Sequence, residues 1–163
     1  LAEHVALELA MLAGGSIFAG RRVIEMFAAP LSGLIADRLG VHKPLIAASL
    51  LLSIGLACVG VGWLYAGATA IVVARGALGT LIPAAVALFA PGGVLPPLAR
   101  NQTWRDIGAA LGPLTTGFLL ASTSPETLHI FIAAAFLASL LWLLASPVWR
   151  ASRTPRAAER SPQ

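Results

Sequence analysis

Residues 33–44 read GLIADRLGVHKP, a short charged turn between two apolar runs that are each long enough to cross a bilayer. The first run ends in small residues at Gly33 and Ala36, and the turn then carries one acid and several bases. Pro44 is expected to begin the next helix, because the missing N–H of proline would be unpaired there in any case. The stretch predicts a hairpin of two membrane helices.

Asp37 occupies an unfavourable place in this turn. The C-terminal end of a helix carries a partial negative charge, which disfavours a carboxylate. We therefore expect Asp37 to need a cation or the N-terminus of another helix close by, and Arg38 is the nearest candidate.

The turn resembles the inner-loop signature of the major facilitator superfamily, which reads Gly-x-Leu-[small]-Asp-Arg-x-Gly followed by basic residues. The match runs from Gly33 to Gly40 and departs at Val41, where the family usually has arginine, while His42 and Lys43 keep the basic character. The family carries this loop once in each six-helix half, and the more degenerate copy is commonly in the second half. The alternative interpretation is that the pattern is that of any tight inner loop with positive charge and does not indicate this family. The resemblance implies a gating motif formed by Gly33, Asp37, Arg38, Gly40 and Lys43.

Composition indicates a chain that resides in lipid. Of its 163 residues 58% are hydrophobic and 11% are charged, and the mean hydropathy is +0.85. In a soluble domain about a quarter of the residues are charged. The length allows about five or six spanning helices and excludes twelve. We predict an all-α membrane protein with about five transmembrane helices and part of a sixth.

The residue types also argue against several function classes. Cys58 stands alone, and His4, His42 and His129 are scattered without ligand spacing, so neither a metal nor another cofactor is expected. No catalytic triad, phosphate loop or pair of catalytic carboxylates occurs, so an enzyme is not expected. The net charge of +4 falls in short loops and a tail, which indicates membrane orientation and not nucleic-acid binding.

The predicted spans lie at about residues 11–36, 44–64, 68–90, from 105 onward, and 127–146. Residues 1–10 are expected to form an outer loop or the frayed end of a preceding helix, and residues 91–104 a proline-rich connection. The second span is expected to face lipid, with Trp63 and Tyr65 at the membrane surface. Residues 1–149 would form one helical unit, and residues 150–163 a disordered basic tail in the cytoplasm.

Two further local patterns predict helix geometry. Gly108 and Gly112 are four residues apart, so they share a face that allows close helix contact. With Pro113 they lie in a segment, residues 104–117, that resembles a Gly-Pro-containing helix of the same family. The last span begins either with a capping box from Thr123 to Glu126, or with Ser124 as the cap and Pro125 as the first helical residue.

Basic residues are distributed to one side of the predicted topology. If all five spans cross, the turn at residues 37–43, the loop before residue 106 and the C-terminal tail share a side, while the opposite loops hold no Lys or Arg. The positive-inside rule then places the C-terminus in the cytoplasm. The basic residues concerned are Arg38, Lys43, Arg100, Arg105, Arg150, Arg153, Arg156 and Arg160.

Four charged residues fall inside predicted spans: Arg21, Arg22, Glu25 and Arg75. Each costs about 2.5 to 3.5 kcal/mol at a helix centre, so they are expected to be partnered. Glu25 is within one helical turn of Arg21 and Arg22, and a bridge to Arg75 on another helix is also feasible. The charges either neutralise one another and lock helix packing, or form a substrate-binding or proton-coupling cluster in an aqueous cavity.

The resemblance implies most of the C-terminal half of a secondary transporter, from the eighth to the twelfth of twelve helices, in a bacterial inner membrane. Its partners would be the bilayer, the missing N-terminal half and a small-molecule substrate, moved by alternating access. Helices equivalent to the first, third and fourth spans would line the cavity. The alternative is a small membrane scaffold or subunit. Six further spans encoded in frame upstream of Leu1 would favour the transporter. A start codon immediately before Leu1 would favour the scaffold.

Overall fold

The computed structural model describes residues 2–90, 93–147 and 149–150, with side chains described from residue 19 onward. Within these ranges the chain forms helices and no strands, which confirms the all-α prediction for the described residues. The helices are α1 (Ala2–Leu39), α2 (His42–Gly60), α3 (Leu64–Leu88), α4 (Leu95–Leu120) and α5 (Pro125–Ala145).

Three helices, α2, α3 and α5, are long and apolar enough to cross a membrane by length and composition, counted over the described residues. The prediction of about five such spans is therefore too high. α1 carries Arg21, Arg22 and Glu25 within little more than one turn, and the first half of α4 contains Arg100, Arg105 and Asp106. These charges lower the apolar character of both helices, although each is long enough to span.

Two predicted boundaries are wrong. Residues 2–10 are not a loop or a separate end, because they continue α1 without a break. α4 begins at Leu95 and not near Arg105, with proline in its first turn. The prolines at residues 96 and 97 suggested a connection, but a proline in the first helical turn removes only an N–H that has no partner there.

The two short turns that follow the sequence pattern are well defined. Gly40 ends α1 with φ of +77°, a left-handed conformation that favours glycine. α2 then begins at His42, two residues before the expected Pro44, which still lies in the first turn. At α5 the Ser124 Oγ accepts a hydrogen bond from the Thr127 N–H at 3.2 Å. Of the two capping alternatives, Ser124 followed by Pro125 is therefore the one observed.

The helices pack in the order α1, α3, α2, α5. α2 makes its most extensive contacts with α3 and packs on its other side against α5, while α3 also packs against α1. The prediction that α2 faces lipid is wrong, since Leu45, Ala48, Ser49 and Ser53 are all buried. α4 touches α3 and α5 only lightly and contributes no buried side chain.

Glycines set the closest helix approaches. A Cβ atom added to Gly67 would lie 2.6 Å from the Gly55 carbonyl oxygen, and one added to Gly60 would lie 2.6 Å from Ile130 Cγ1. Because real Cβ atoms do not approach so closely, the α2–α3 contact needs glycine at Gly67 of α3, and the α2–α5 contact needs glycine at Gly60 of α2. Small residues at helix contacts are typical of membrane bundles.

Contacts at the two ends of the bundle fix the course of α4. At one end the ring of His42 packs 5.9 Å from that of Phe89 and 4.7 Å from that of Trp149, and these residues begin α2 and follow α3 and α5. At the other end Gly60 of α2 contacts Glu126 and Ile130 of α5. α4 joins the first end to the second, and its 26 residues are about 39 Å long. It therefore runs the full height of the bundle.

The C-terminal aromatic residues behave differently from each other. Trp142 is 82% exposed, as expected of a residue at a membrane surface, whereas Trp149 is 2% exposed and packs in the core. Arg150 is helical, and its Nη2 donates to the Ala145 carbonyl oxygen at 2.9 Å. The predicted disorder of the tail is thus wrong for Arg150, and residues 151–163 lie outside the described residues.

Candidate functional site

Glu25 binds two arginines on its own helix. Arg21 Nε donates to Glu25 Oε1 at 2.8 Å, and Arg22 Nη1 donates to Glu25 Oε2 at 3.2 Å. Spacings of four and three residues bring these side chains together on one face of α1. Both pairings that the sequence spacing allowed are therefore made at once, one on each carboxylate oxygen.

The three side chains differ in exposure. The Glu25 side chain is 18% exposed, while Arg21 and Arg22 are 36% and 63% exposed. The carboxylate is thus the enclosed member of the group and the guanidinium groups form its outer side. A ligand that approaches Glu25 from the exposed side of this group meets the positive charge of the arginines first.

Arg75 lies on the neighbouring helix beside this group. A Cβ atom added to Gly76 would lie 3.2 Å from Glu25 Cα and 2.9 Å from Ala28 Cβ, so α1 and α3 are in close contact at this level. The Arg75 side chain is exposed. In the described part of the chain no direct salt bridge joins it to Glu25, so the predicted bridge is not formed in this structure.

Two hydroxyl groups continue the contact between α1 and α3. Ser32 Oγ and Thr80 Oγ1 are 2.6 Å apart and share a hydrogen bond, and Ser32 is 5% exposed. Both hydroxyls also lie within hydrogen-bond distance of the Ala29 carbonyl oxygen, at 2.8 Å and 3.4 Å. We call Arg21, Arg22, Glu25, Ser32, Arg75 and Thr80 the polar cluster.

Sequence reasoning missed Ser32 and Thr80. Ser32 is seven residues after Glu25 and Thr80 is four residues after Gly76, so each shares a helix face with a residue of the α1–α3 contact. This periodicity was the available signal. The pairing across two helices could not be read from it, because helix order is not encoded in the spacing.

The polar cluster lies far from the ends of α1 and α3 that are nearest to His42. Glu25 and Arg75 are fourteen and thirteen residues before the ends of their helices, which places them about 20 Å from the end of the bundle that holds His42. Ser32 and Thr80 are nearer to that end, at about 11 Å. The hydrocarbon core of a bilayer is about 30 Å thick, so Arg75 and Thr80 lie well inside α3, a helix that is long and apolar enough to span it.

The residues of the inner-loop motif gather at the end of α1 and the start of α2. Asp37, Arg38 and Lys43 are exposed. No hydrogen bond or salt bridge joins Asp37 to Arg38 among the described side chains, so the expected partner does not neutralise Asp37 here. Gly33 has no atom within 4 Å of an added Cβ, and Gly40 is needed for its left-handed conformation.

The predicted packing face of α4 meets no neighbour among the residues that the structure describes. Nothing lies within 4 Å of a Cβ atom added to Gly108 or Gly112, and Pro113 lies inside the same helix. Close packing at Gly108, Gly112 and Pro113 therefore stays a prediction about a partner outside the described residues. Across the described ranges, no three His, Cys, Asp or Glu residues form a group that could hold a metal ion.

Comparisons with family models, curated proteins and solved structures find no match to this chain. Its function is therefore inferred from its own residues and their geometry.

Proposed function

We propose that the chain is the C-terminal half of a secondary transporter of the major facilitator type, which moves a small solute by alternating access. The polar cluster is the observation that carries this proposal. Charged groups at membrane depth are costly, at about 2.5 to 3.5 kcal/mol each, and usually mark a substrate or ion pathway. The resemblance of the inner-loop sequence supports the same function.

Glu25 is the proposed coupling group. Its carboxylate accepts hydrogen bonds from Arg21 and Arg22, so protonation of Glu25 would weaken both contacts and leave the Arg21 guanidinium able to bind another anion. Arg75 stands one helix away and is exposed, so it can join in binding that anion. A proton on Glu25 and an anion on the arginines therefore favour each other's binding, since either one changes the affinity for the other.

The proposal includes a membrane orientation. The end of the bundle that holds His42, Phe89 and Trp149 faces the cytoplasm of a bacterial inner membrane, in keeping with the excess of Lys and Arg on that side. α4 crosses beside the other helices, because it connects the two ends of the bundle. Its open face at Gly108 and Gly112 is where the N-terminal half of the transporter would pack.

A membrane scaffold without transport activity is the second candidate. The absence of buried side chains on α4 favours it, because a subunit that docks onto a partner would present such a face. The two functions differ in what surrounds the polar cluster. In a transporter the cluster meets water from each side in turn, whereas in a scaffold it does not.

Cysteine accessibility distinguishes these functions without knowledge of the substrate. Gly79 is four residues after Arg75 on the same face, and nothing lies within 4 Å of an added Cβ, so cysteine fits there. We would introduce Gly79→Cys with Cys58→Ala into the complete protein. The variant is then treated with a membrane-impermeant maleimide in right-side-out and inside-out vesicles.

The transporter proposal predicts labelling of the Gly79→Cys variant from both sides. Leu137 is 38% exposed and lies eight residues before the end of α5, as Gly79 lies nine before the end of α3, so Leu137→Cys is the matched control and should be labelled from neither side. Labelling of Gly79→Cys from one side only, or from neither, would overturn the proposal and favour the scaffold.

A further inference from the structure

A cavity of about 290 Å³ lies between α2, α3 and α5, away from the polar cluster. Each helix contributes to its wall, principally through Leu45, Ser49, Leu78, Val86, Phe136 and Leu143. The positions on α2 and α3 belong to the halves of these helices nearer to His42 and Phe89. The cavity therefore occupies the inner half of the bundle.

The cavity wall is almost entirely apolar. Besides Ser49 its one other polar lining residue is Ser139, whose hydroxyl donates to the Ala135 carbonyl oxygen at 2.8 Å. Among the described residues, no charged side chain lines the cavity. Apolar cavities of about 150 Å³ already stay dry and accept hydrocarbon guests, so this larger one favours an apolar occupant over water.

The surroundings of the cavity determine which apolar molecule can enter. Its three walls are the three helices that are apolar enough to span a membrane, so the medium outside them is hydrocarbon. The acyl chains of lipids are the guest present there at high concentration. A lipid chain would fill the cavity without leaving any buried polar group unpaired.

Charges at the inner end of the cavity select the headgroup. Phe89 lines the cavity, and its ring lies 5.9 Å from each of His42 and Trp149. The next residue after each of these two is an exposed cation, Lys43 and Arg150. α2 and α3 contain no Asp or Glu, Glu126 is at the opposite end of α5, and the exposed Asp37 at this end is outnumbered by Arg38, Lys43 and Arg150. Such a basic surface attracts anionic headgroups.

We propose that the groove formed by α2, α3 and α5 binds an anionic phospholipid, with one acyl chain in the 290 Å³ cavity and its phosphate at Lys43 and Arg150. This site is separate from the polar cluster and does not depend on transport. The lipid would hold α5 against α2 and α3 at the cytoplasmic side.

Native mass spectrometry of the complete protein in neutral detergent tests the site, with dioleoyl phosphatidylglycerol and dioleoyl phosphatidylcholine as probes. We expect one phosphatidylglycerol to be retained about thirtyfold more tightly than phosphatidylcholine, because two cations contribute to binding. The double variant Lys43→Gln/Arg150→Gln should remove this difference and leave binding of phosphatidylcholine unchanged. Both side chains are exposed, so the variant should fold.

A second set of variants tests the cavity itself. Val86→Trp places a large ring in the cavity and should lower retention of phosphatidylglycerol about tenfold, while Leu141→Trp on the exposed face of α5 should leave it unchanged. Ser139→Leu is a milder filling variant if Val86→Trp reduces helicity. Equal retention of the two lipids by the unmodified protein, or unchanged retention in both folded filling variants, would overturn the proposal.

Discussion

At the scale of single residues, the main question is whether Glu25 is part of a structural ion pair or a coupling group. Its spacing from Arg21 and Arg22 was sufficient to predict both contacts, because pairs three and four residues apart face each other on any helix. The relation to Arg75 could not be predicted in the same way. It depends on how closely α1 and α3 approach, and Gly76 sets that approach.

We predict that Glu25→Gln lowers the amount of protein in the membrane, because Arg21 and Arg22 lose the counter-charge that both now contact. An unpaired arginine at this depth costs about 2.5 to 3.5 kcal/mol. Adding Arg21→Gln should restore the amount of protein, whereas adding Arg75→Gln should not, since Arg75 forms no direct bridge. Immunoblotting of membranes measures these levels.

The same variants separate the two roles of Glu25. If Glu25 couples a proton or substrate to the change of access, the double variant Glu25→Gln/Arg21→Gln should recover the normal amount of protein in the membrane. A cysteine introduced by Gly79→Cys in this variant should still be labelled from one side only. Recovery of both the level and two-sided labelling would mean that the pair is purely structural.

At the scale of helices, the sequence predicted what depends on local pattern and missed what depends on packing. The hairpin at residues 33–44, the Ser124 cap and the all-α class follow from charge, turn chemistry and apolar runs. The start of α4 was missed because first-turn prolines look the same as helix-breaking ones. The buried position of α2 was missed because its apolar surface suits lipid and neighbouring helices equally well.

Glycine positions provide the matching test of helix packing. We predict that Gly76→Leu weakens the α1–α3 contact by about 1 to 3 kcal/mol, because a side chain there meets Ala28 and the backbone of Glu25. Gly79→Leu, three residues later on the same helix, meets nothing within 4 Å and should be tolerated. Thermal unfolding of the two variants in detergent measures the difference, and equal losses of stability would contradict the observed helix approach.

At the scale of the whole molecule, the two ends of the bundle have different chemistry. Exposed Asp37, Arg38, Lys43 and Arg150 lie at the end closed by Trp149, while the polar cluster lies about 20 Å away within the bundle. α1 connects the two regions as one continuous helix. A change in the contacts of Asp37 can therefore move the cluster relative to α3.

Asp37 is exposed and not bonded to Arg38, so in the proposed transporter its charge could bind in one access state and not in the other. We propose that this inner loop controls which side of the membrane reaches the polar cluster. Its most direct test is the ratio of outside to inside labelling of the Gly79→Cys variant, with Asp37 retained and with Asp37→Asn. Asp37→Glu, which keeps the charge, is the control.

We predict that Asp37→Asn changes this ratio about tenfold without lowering the amount of protein in the membrane, because a hydrogen bond to a charged group contributes about 1.5 kcal/mol. Asp37→Glu should change the ratio much less. An unchanged ratio in Asp37→Asn, at equal protein levels and with labelling detected from both sides, would contradict the claim that the inner loop controls access.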